Sequence, residues 1–137
     1  HLGLRVAVEA YSREFQHRAG VDVNVIASGE LALSSGQRLA LYRIVQESLT
    51  NVARHARATT ASIRLQMAAS GLTLTISDDG SGFDLDQALP ASFGLRSMQQ
   101  RARSIGAALS IQTAPGQGTT IAVHLAFRRA AGAPRTL

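Results

Sequence analysis

The chain has no cysteine, no lysine and no tryptophan, and only 4% of it is aromatic. Without cysteine, disulfides and thiolate-held metals are excluded. Without lysine, the phosphate-binding lysine of a P-loop is missing, so that route to a nucleotide is closed. The four histidines, His1, His17, His55 and His124, have no ligand-like spacing and point to no zinc site. No uninterrupted apolar run approaches the span of a bilayer, and no charged-then-apolar leader opens the sequence. A cytoplasmic segment without membrane contact of its own is expected, whether or not a longer protein carries an anchor.

What is present suits one α/β or α+β domain: 137 residues, 45% of them hydrophobic. The net charge of +5 comes entirely from arginine. Basic balance raises the question of nucleic acid. However, Arg5, Arg13, Arg38, Arg64, Arg96 and Arg128 are spread without a dense patch or interleaved aromatics. They are read as solvated faces, and no nucleic-acid partner is expected. A steep salt dependence of DNA affinity is what that rival would require.

The stretch from Leu41 to Ala56 organises the rest. At 100° per residue Leu41, Ile44, Val45, Ser48, Leu49 and Val52 share one apolar face. Glu47, Asn51 and His55 follow at i, i+4 and i+8 as a polar stripe on its shoulder, while Arg43, Thr50 and Arg54 lie outside. Such a stripe either rims the core or forms one wall of a pocket.

Around this helix the chain reads in order. Residues 1–19 are helical, with Leu4, Val8, Tyr11 and Phe15 in a heptad-like stripe, and Gly20 ends them. Val21, Val23 and Val25 alternate with polar residues as a strand. Ser34 and Gln37 fit a capping box that starts the central helix, which should end near Ala56 to Ala58. Ala61, Ile63, Leu65 and Met67 form one strand and Leu72, Leu74 and Ile76 the next, joined by a three-residue turn at Ser70-Gly71. One more step puts Asp78 inward with the leucines, which is costly unless something donates to it; the other possibility is that it turns outward as turn aspartates do. After a polar segment come a helix marked by Leu95, Met98, Ala102 and Ile105, a short strand at Leu109 and Ile111, and a strand at Ile121, Val123, Leu125 and Phe127. Residues 128–137 are small, basic and expected to be disordered. Hairpin-linked strands argue for a two-layer α/β sandwich: a mixed, mostly antiparallel sheet with helices over one face.

Gly80 with Gly82, Gly94, and Gly116 with Gly118 punctuate the loops that follow the polar helix. Bare backbone N–H groups at such loops can approach phosphate oxygens, and a helix opening at Gly94 favours an anion. In this context residues 43–56 resemble the N box of the GHKL ATPases, the superfamily of type II topoisomerases, a heat-shock chaperone, mismatch-repair ATPases and sensor histidine kinases. Asp78-Asp79-Gly80-Ser81-Gly82 matches its Asp-x-Gly-x-Gly box, Phe93-Gly94-Leu95-Arg96-Ser97-Met98 resembles the next glycine box, and Gly116-Gln117-Gly118-Thr119 the last. The wording is most similar to nitrate-sensor-type bacterial histidine kinases, where residues 1–19 resemble the end of the dimerisation and phosphoacceptor helix and 20–127 the catalytic ATP-binding domain.

The resemblance implies ATP and Mg²⁺ as ligands and gives each residue a role. Asn51 would coordinate Mg²⁺ and Glu47 would position or deprotonate an attacking group. Arg54 and His55 would meet phosphates or a short lid, roughly Asp84 to Phe93. Asp78 would accept from the adenine amino group, Gly80 and Gly82 would let the backbone pass the base, and Gly94, Leu95 and Arg96 would meet the phosphates. Gly118 and Thr119 would support the adenine side. The family also implies a homodimer, a phosphoacceptor bundle and a response regulator. None of the four histidines sits in the acidic phosphoacceptor context of such kinases, so the acceptor helix is expected outside this chain. The competing expectation is a non-catalytic regulator of the same fold, similar to anti-sigma factors, which binds ATP to control a protein partner.

Overall fold

The computed structural model describes residues 3–30 and 32–127, and only the backbone of residues 55 and 56. The expected tail, 128–137, lies outside the described residues.

Helix α1 (Leu4–Ala19) stops at Gly20, whose φ of 71° gives the left-handed cap that glycine adopts without penalty. Strand β1 (Asp22–Ser28) leads through a loop to α2 (Ser35–Asn51). The capping box is formed as expected: Ser34 Oγ accepts from Gln37 N at 3.1 Å, and Gln37 Oε1 accepts from Ser34 N at 2.8 Å. The α-helical part ends earlier than the apolar periodicity suggests. Beyond Asn51 the chain makes a π-helical turn, Val52–Ala56, and leaves it at Arg57 in the left-handed region.

Strands β2 (Thr60–Ala68) and β3 (Gly71–Asp78) form a hairpin whose register closes at Ala68 and Gly71. The connection is therefore the two residues Ala69 and Ser70, not three. Helix α3 (Leu85–Ala91) occupies most of the segment expected to be a polar lid; Asp84 Oδ1 caps it by accepting from Asp86 N at 3.0 Å. Helix α4 (Phe93–Ser104), β4 (Ala108–Thr113) and β5 (Thr119–Ala126) complete the chain.

The sheet order is β1-β2-β3-β5-β4. Only β1 and β2 run parallel, joined by the helical crossover that a parallel pair needs; the other pairs are antiparallel. Ile63, Leu65, Leu72, Leu74, Ile76, Ile121, Val123 and Leu125 point to the covered face and are all buried, while their neighbours in sequence are not. Against them pack Leu41, Ile44, Val45, Leu49 and Val52 of the central segment and Leu95, Met98 and Ala102 of α4. The chain thus has the mixed two-layer α/β architecture read from its pattern.

Leu4, Val8 and Phe15 of α1 enter this same core. Tyr11 meets Tyr42 of α2 edge to face at 5.9 Å between ring centroids. The stripe on α1 thus packs against α2 and β1. Among the described residues no helix is long and apolar enough to cross a membrane.

Candidate functional site

Burial of one face of α2 fixes which side chains can line a cavity beside it. Ser48, on that face, donates from Oγ to the Ile44 carbonyl at 2.7 Å and lies 3.4 Å from Met98 Sδ, so α2 and α4 are joined at this level. One turn on, half-buried Asn51 faces a narrow slot between the helices and the sheet. Its far wall is Asp78 of β3 and Thr119 of β5; Ile76, Ile121, Val52 and Leu95 make the apolar surfaces, and Gly82 and Phe83 one end. Apolar walls with a carboxylate among them match a flat heterocycle in chemistry.

Asn51, Gly82, Phe83 and Leu95 also belong to a wider groove of about 730 Å³, bounded by Glu47, Arg54, Ala88, Ser92, Phe93 and Gly94. Slot and groove adjoin at these four shared residues and together form the candidate depression. The groove's polar features are a carboxylate, an amide, an exposed guanidinium and the first turn of α4, groups suited to a metal-bound anion.

Asp78 settles the choice between an inward and an outward aspartate. Strand β3 runs to Asp78, which follows Leu72, Leu74 and Ile76 on the covered face and pairs with Thr119. Its Oδ1 accepts from Gly80 N at 2.8 Å, and the carboxylate also accepts from the Thr119 backbone N–H. Desolvation nonetheless dominates and, with the neighbouring Asp79 charge, holds its pKa above the ordinary carboxylate value.

Asp79 goes the other way. Exposed at the strand end, it accepts from Thr59 Oγ1 at 2.6 Å, Thr59 N at 2.9 Å and Thr60 N at 3.0 Å, which hold its carboxyl well below the usual range. It ties the segment leaving the π turn to the end of β3. Sequence reading passed over Asp79; the available signal was the pairing of two adjacent strands, which sets it opposite a threonine pair.

At the site Gly94 closely approaches a flexible side chain, whereas Gly82 and Gly118 closely approach backbone. A Cβ on Gly94 would overlap the Glu47 carboxylate. Gly118, at φ of 70°, lies against the Asp78 carbonyl so closely that a Cβ there would collide with the backbone. Thr113, another residue missed from sequence, joins Phe83, Gly118 and Thr119 through its hydroxyl.

Of the residues singled out, Glu47, Asn51, Arg54, Asp78, Gly82, Gly94, Leu95 and Thr119 line the depression. Gly80 and Gly118 support Asp78 from the backbone. Arg96 does not join them. Ser92 caps α4 by accepting from Leu95 N at 3.1 Å, and Arg96, one turn along, donates from Nε to the Ser92 carbonyl at 3.3 Å. It lies with Gln99, Gln100 and Arg103 on another face of the helix. The His55 side chain is outside the described structure. Among the described residues no three or more His, Cys, Asp or Glu form a metal-binding group.

The family model described as histidine kinase-, DNA gyrase B-, and HSP90-like ATPase matches residues 36–129. The sensor histidine kinase LiaS of Bacillus subtilis is 36% identical over 123 residues, which are 90% of this chain and 34% of that protein. The signal transduction histidine-protein kinase/phosphatase DegS of Brevibacillus brevis is 34% identical over 126 residues, 90% of this chain and 32% of that one. The chain thus spans about a third of the length of these curated relatives. Among solved structures, the histidine kinase domain from the Erythrobacter litoralis EL346 blue-light activated histidine kinase is similar with a TM-score of 0.75 at 24% identity, covering 91% of this chain and 61% of that one. The mycobacterial sensor histidine kinase MprB is similar with a TM-score of 0.69 at 20% identity, over 91% of this chain and 95% of that one. At these identities the structural likeness is one of fold.

Proposed function

The chain belongs to the histidine kinase-, DNA gyrase B- and HSP90-like ATPase family, and from that premise we propose that it is the ATP- and Mg²⁺-binding catalytic domain of a sensor histidine kinase. The observation that carries this reading is that Asn51 of α2 and Asp78 of β3 line one slot. A metal ligand and a base-recognising acid must share a cleft to hold the two ends of one nucleotide.

Asp78 would accept from the adenine amino group, adding a donor to the two backbone N–H groups that its partly buried carboxylate already meets. Thr119 would flank the same edge, with Gly118 beneath. Gly80 and Gly82 would carry the backbone past the base. Asn51 would offer its amide oxygen to Mg²⁺, and Glu47, one turn away, would orient that site or the attacking group. Arg54 at the rim, His55, and the backbone at Gly94 and Leu95 would meet phosphate oxygens, the last two at a helix N-terminus that favours negative charge. Arg96 is left out of this set because it lies on another face of α4. When bound, MgATP supplies the phosphoryl group and the metal neutralises its charge. What the chain's own residues contribute is position, exclusion of water from the slot, and fixed dipoles.

The acceptor in this reading is a histidine on a dimeric helical bundle outside the chain, with a cytoplasmic response regulator as the next recipient. Calorimetry tests the site: Asn51→Ala is expected to abolish Mg²⁺-dependent ATP binding, and Asp78→Asn to lose the preference for adenine. Wild-type affinity in both variants would overturn it. Phosphate transfer tests the activity: the chain alone should not label itself, and labelling should appear on a histidine-bearing bundle supplied in trans.

A further inference from the structure

Thr113 ends β4 and does not line the slot, yet its hydroxyl reaches three groups behind one wall. Oγ1 accepts from Phe83 N at 3.1 Å, donates to the Gly118 carbonyl at 3.1 Å, and lies 2.9 Å from Thr119 Oγ1. A threonine hydroxyl has one proton and two lone pairs. Gly118 is buried, and its carbonyl, shielded from water, can only accept. Thr113 therefore commits its proton to Gly118 and one lone pair to Phe83. The contact with Thr119 is then a hydrogen bond only if Thr119 donates. Thr119, which lines the slot, has a single hydroxyl proton, so its oxygen can offer a ligand there lone pairs alone. Asp78, directly across the β3–β5 ladder from Thr119, is an acceptor as well when ionised.

We propose that Thr113 is a specificity-positioning residue: by fixing the direction of the Thr119 hydroxyl it makes this wall of the slot acceptor-only, so that it takes a purine with an exocyclic amino group and rejects one with an oxo group at the same place. The inference rests on the reading of the slot as a nucleotide site. An amino group carries two N–H donors, one for the Asp78 carboxylate and one for Thr119 Oγ1. An oxo group would face two acceptors and find no donor on this wall; the N1–H beside it could reach Asp78 only with the base shifted, the kind of mismatch that a pocket built for hydrogen bonding rejects. Thr113 reaches the base only through Thr119. Valine at position 113 keeps the branched shape but frees the Thr119 proton to turn into the slot and donate to an oxo group.

The experiment titrates the full chain with ATP and with ITP, its 6-oxo analogue, in the presence of Mg²⁺. Wild type should prefer ATP. Thr113→Val should narrow the ATP:ITP ratio by about tenfold, mainly through tighter ITP binding, and Thr113→Ser should restore the wild-type ratio. Thr113→Ala, measured beside them, carries the same expectation as valine should the valine methyl disturb the turn. An equal loss of both nucleotides in the valine and alanine variants would make the hydroxyl merely structural and overturn the proposal. So would an unchanged ratio in a chain that prefers ATP, leaving the nucleotide reading intact. A wild-type chain that binds neither nucleotide would instead sink that reading and this proposal with it.

Discussion

The Glu47 carboxylate occupies the space where a side chain on Gly94 would begin. Helix α2 and the first turn of α4 therefore meet through an acid on one and a missing methyl on the other. The obstructed atoms are the far end of a flexible side chain, so Gly94→Ala can be accommodated by swinging Glu47 aside. Alanine is also the better helix former, by up to about 1 kcal/mol. The melting temperature of Gly94→Ala should accordingly stay level or rise. Phosphoryl transfer to a bundle supplied in trans should fall by roughly tenfold to a hundredfold, because Glu47 no longer stands beside α4. Thermal unfolding and a transfer assay on the same preparation check the two halves; full activity would show that this contact does not position Glu47.

Gly118 is expected to behave in the opposite way. Its missing Cβ faces the Asp78 carbonyl, which is backbone and cannot swing, and its φ of 70° is strained for alanine. Gly118→Ala should cost about 1–3 kcal/mol and lower the melting temperature by roughly 5–10 °C. Because the displaced strand end carries Asp78, ATP affinity should fall in step. A variant that melts like wild type would show that the turn relaxes without disturbing β3.

Legibility followed the range of the interactions. The Ser34–Gln37 capping box, the Gly20 stop and the buried face from Leu41 to Val52 depend on neighbours within a turn or two, and all are found where the pattern puts them. The alternation through Leu72, Leu74 and Ile76 correctly carried Asp78 inward. What the pattern did not reveal was long-range or side-chain specific. The hydroxyl of Thr113 meets Phe83 thirty residues away, and Asp79 meets Thr59 across a strand pair. Arg96 has a helical position compatible with the groove, and only its bond to Ser92 shows that it serves the helix end. Helix α3 was missed because a seven-residue element with Pro90 inside has little periodicity of its own and depends on its Asp84 cap and its packing beside α4.

Asp78 and Asp79 are adjacent and should shift acid stability in opposite senses. The folded-state pKa of Asp79 is depressed by the Thr59 hydroxyl and the backbone N–H groups of Thr59 and Thr60. Its contribution is therefore complete above the ordinary value of 3.8, and is lost as pH falls below it and the unfolded chain takes up protons first. Asp79→Ala should melt lower than wild type at pH 7, and the gap should shrink as pH drops below about 3.8. The folded-state pKa of Asp78 is raised by desolvation, so its ionised form opposes folding at neutral pH, and that opposition disappears as pH falls to 3.8 and below. Without nucleotide, Asp78→Asn should melt at or above wild type at pH 7, with the advantage gone in acid. Thermal melts from pH 7 to pH 3 measure both; a destabilised Asp78→Asn would show that its two backbone hydrogen bonds outweigh desolvation.

Ser12 lies on the inner face of α1 between Val8 and Phe15, 3% exposed, and its Oγ has no hydrogen-bond partner among the described residues. An unpaired buried hydroxyl costs about 1–3 kcal/mol, and alanine at the same place removes it while leaving only a small void. Alanine also has the higher helix propensity, by a few tenths of a kcal/mol. Ser12→Ala should therefore raise the melting temperature by a few degrees. Since α1 packs on β1 and α2 and contributes no residue to the slot, ATP affinity should not change. A lower melting temperature would mean that the hydroxyl is satisfied in solution by water or by the chain. Altered ATP affinity with intact stability would show instead that packing at α1 reaches the nucleotide site through α2.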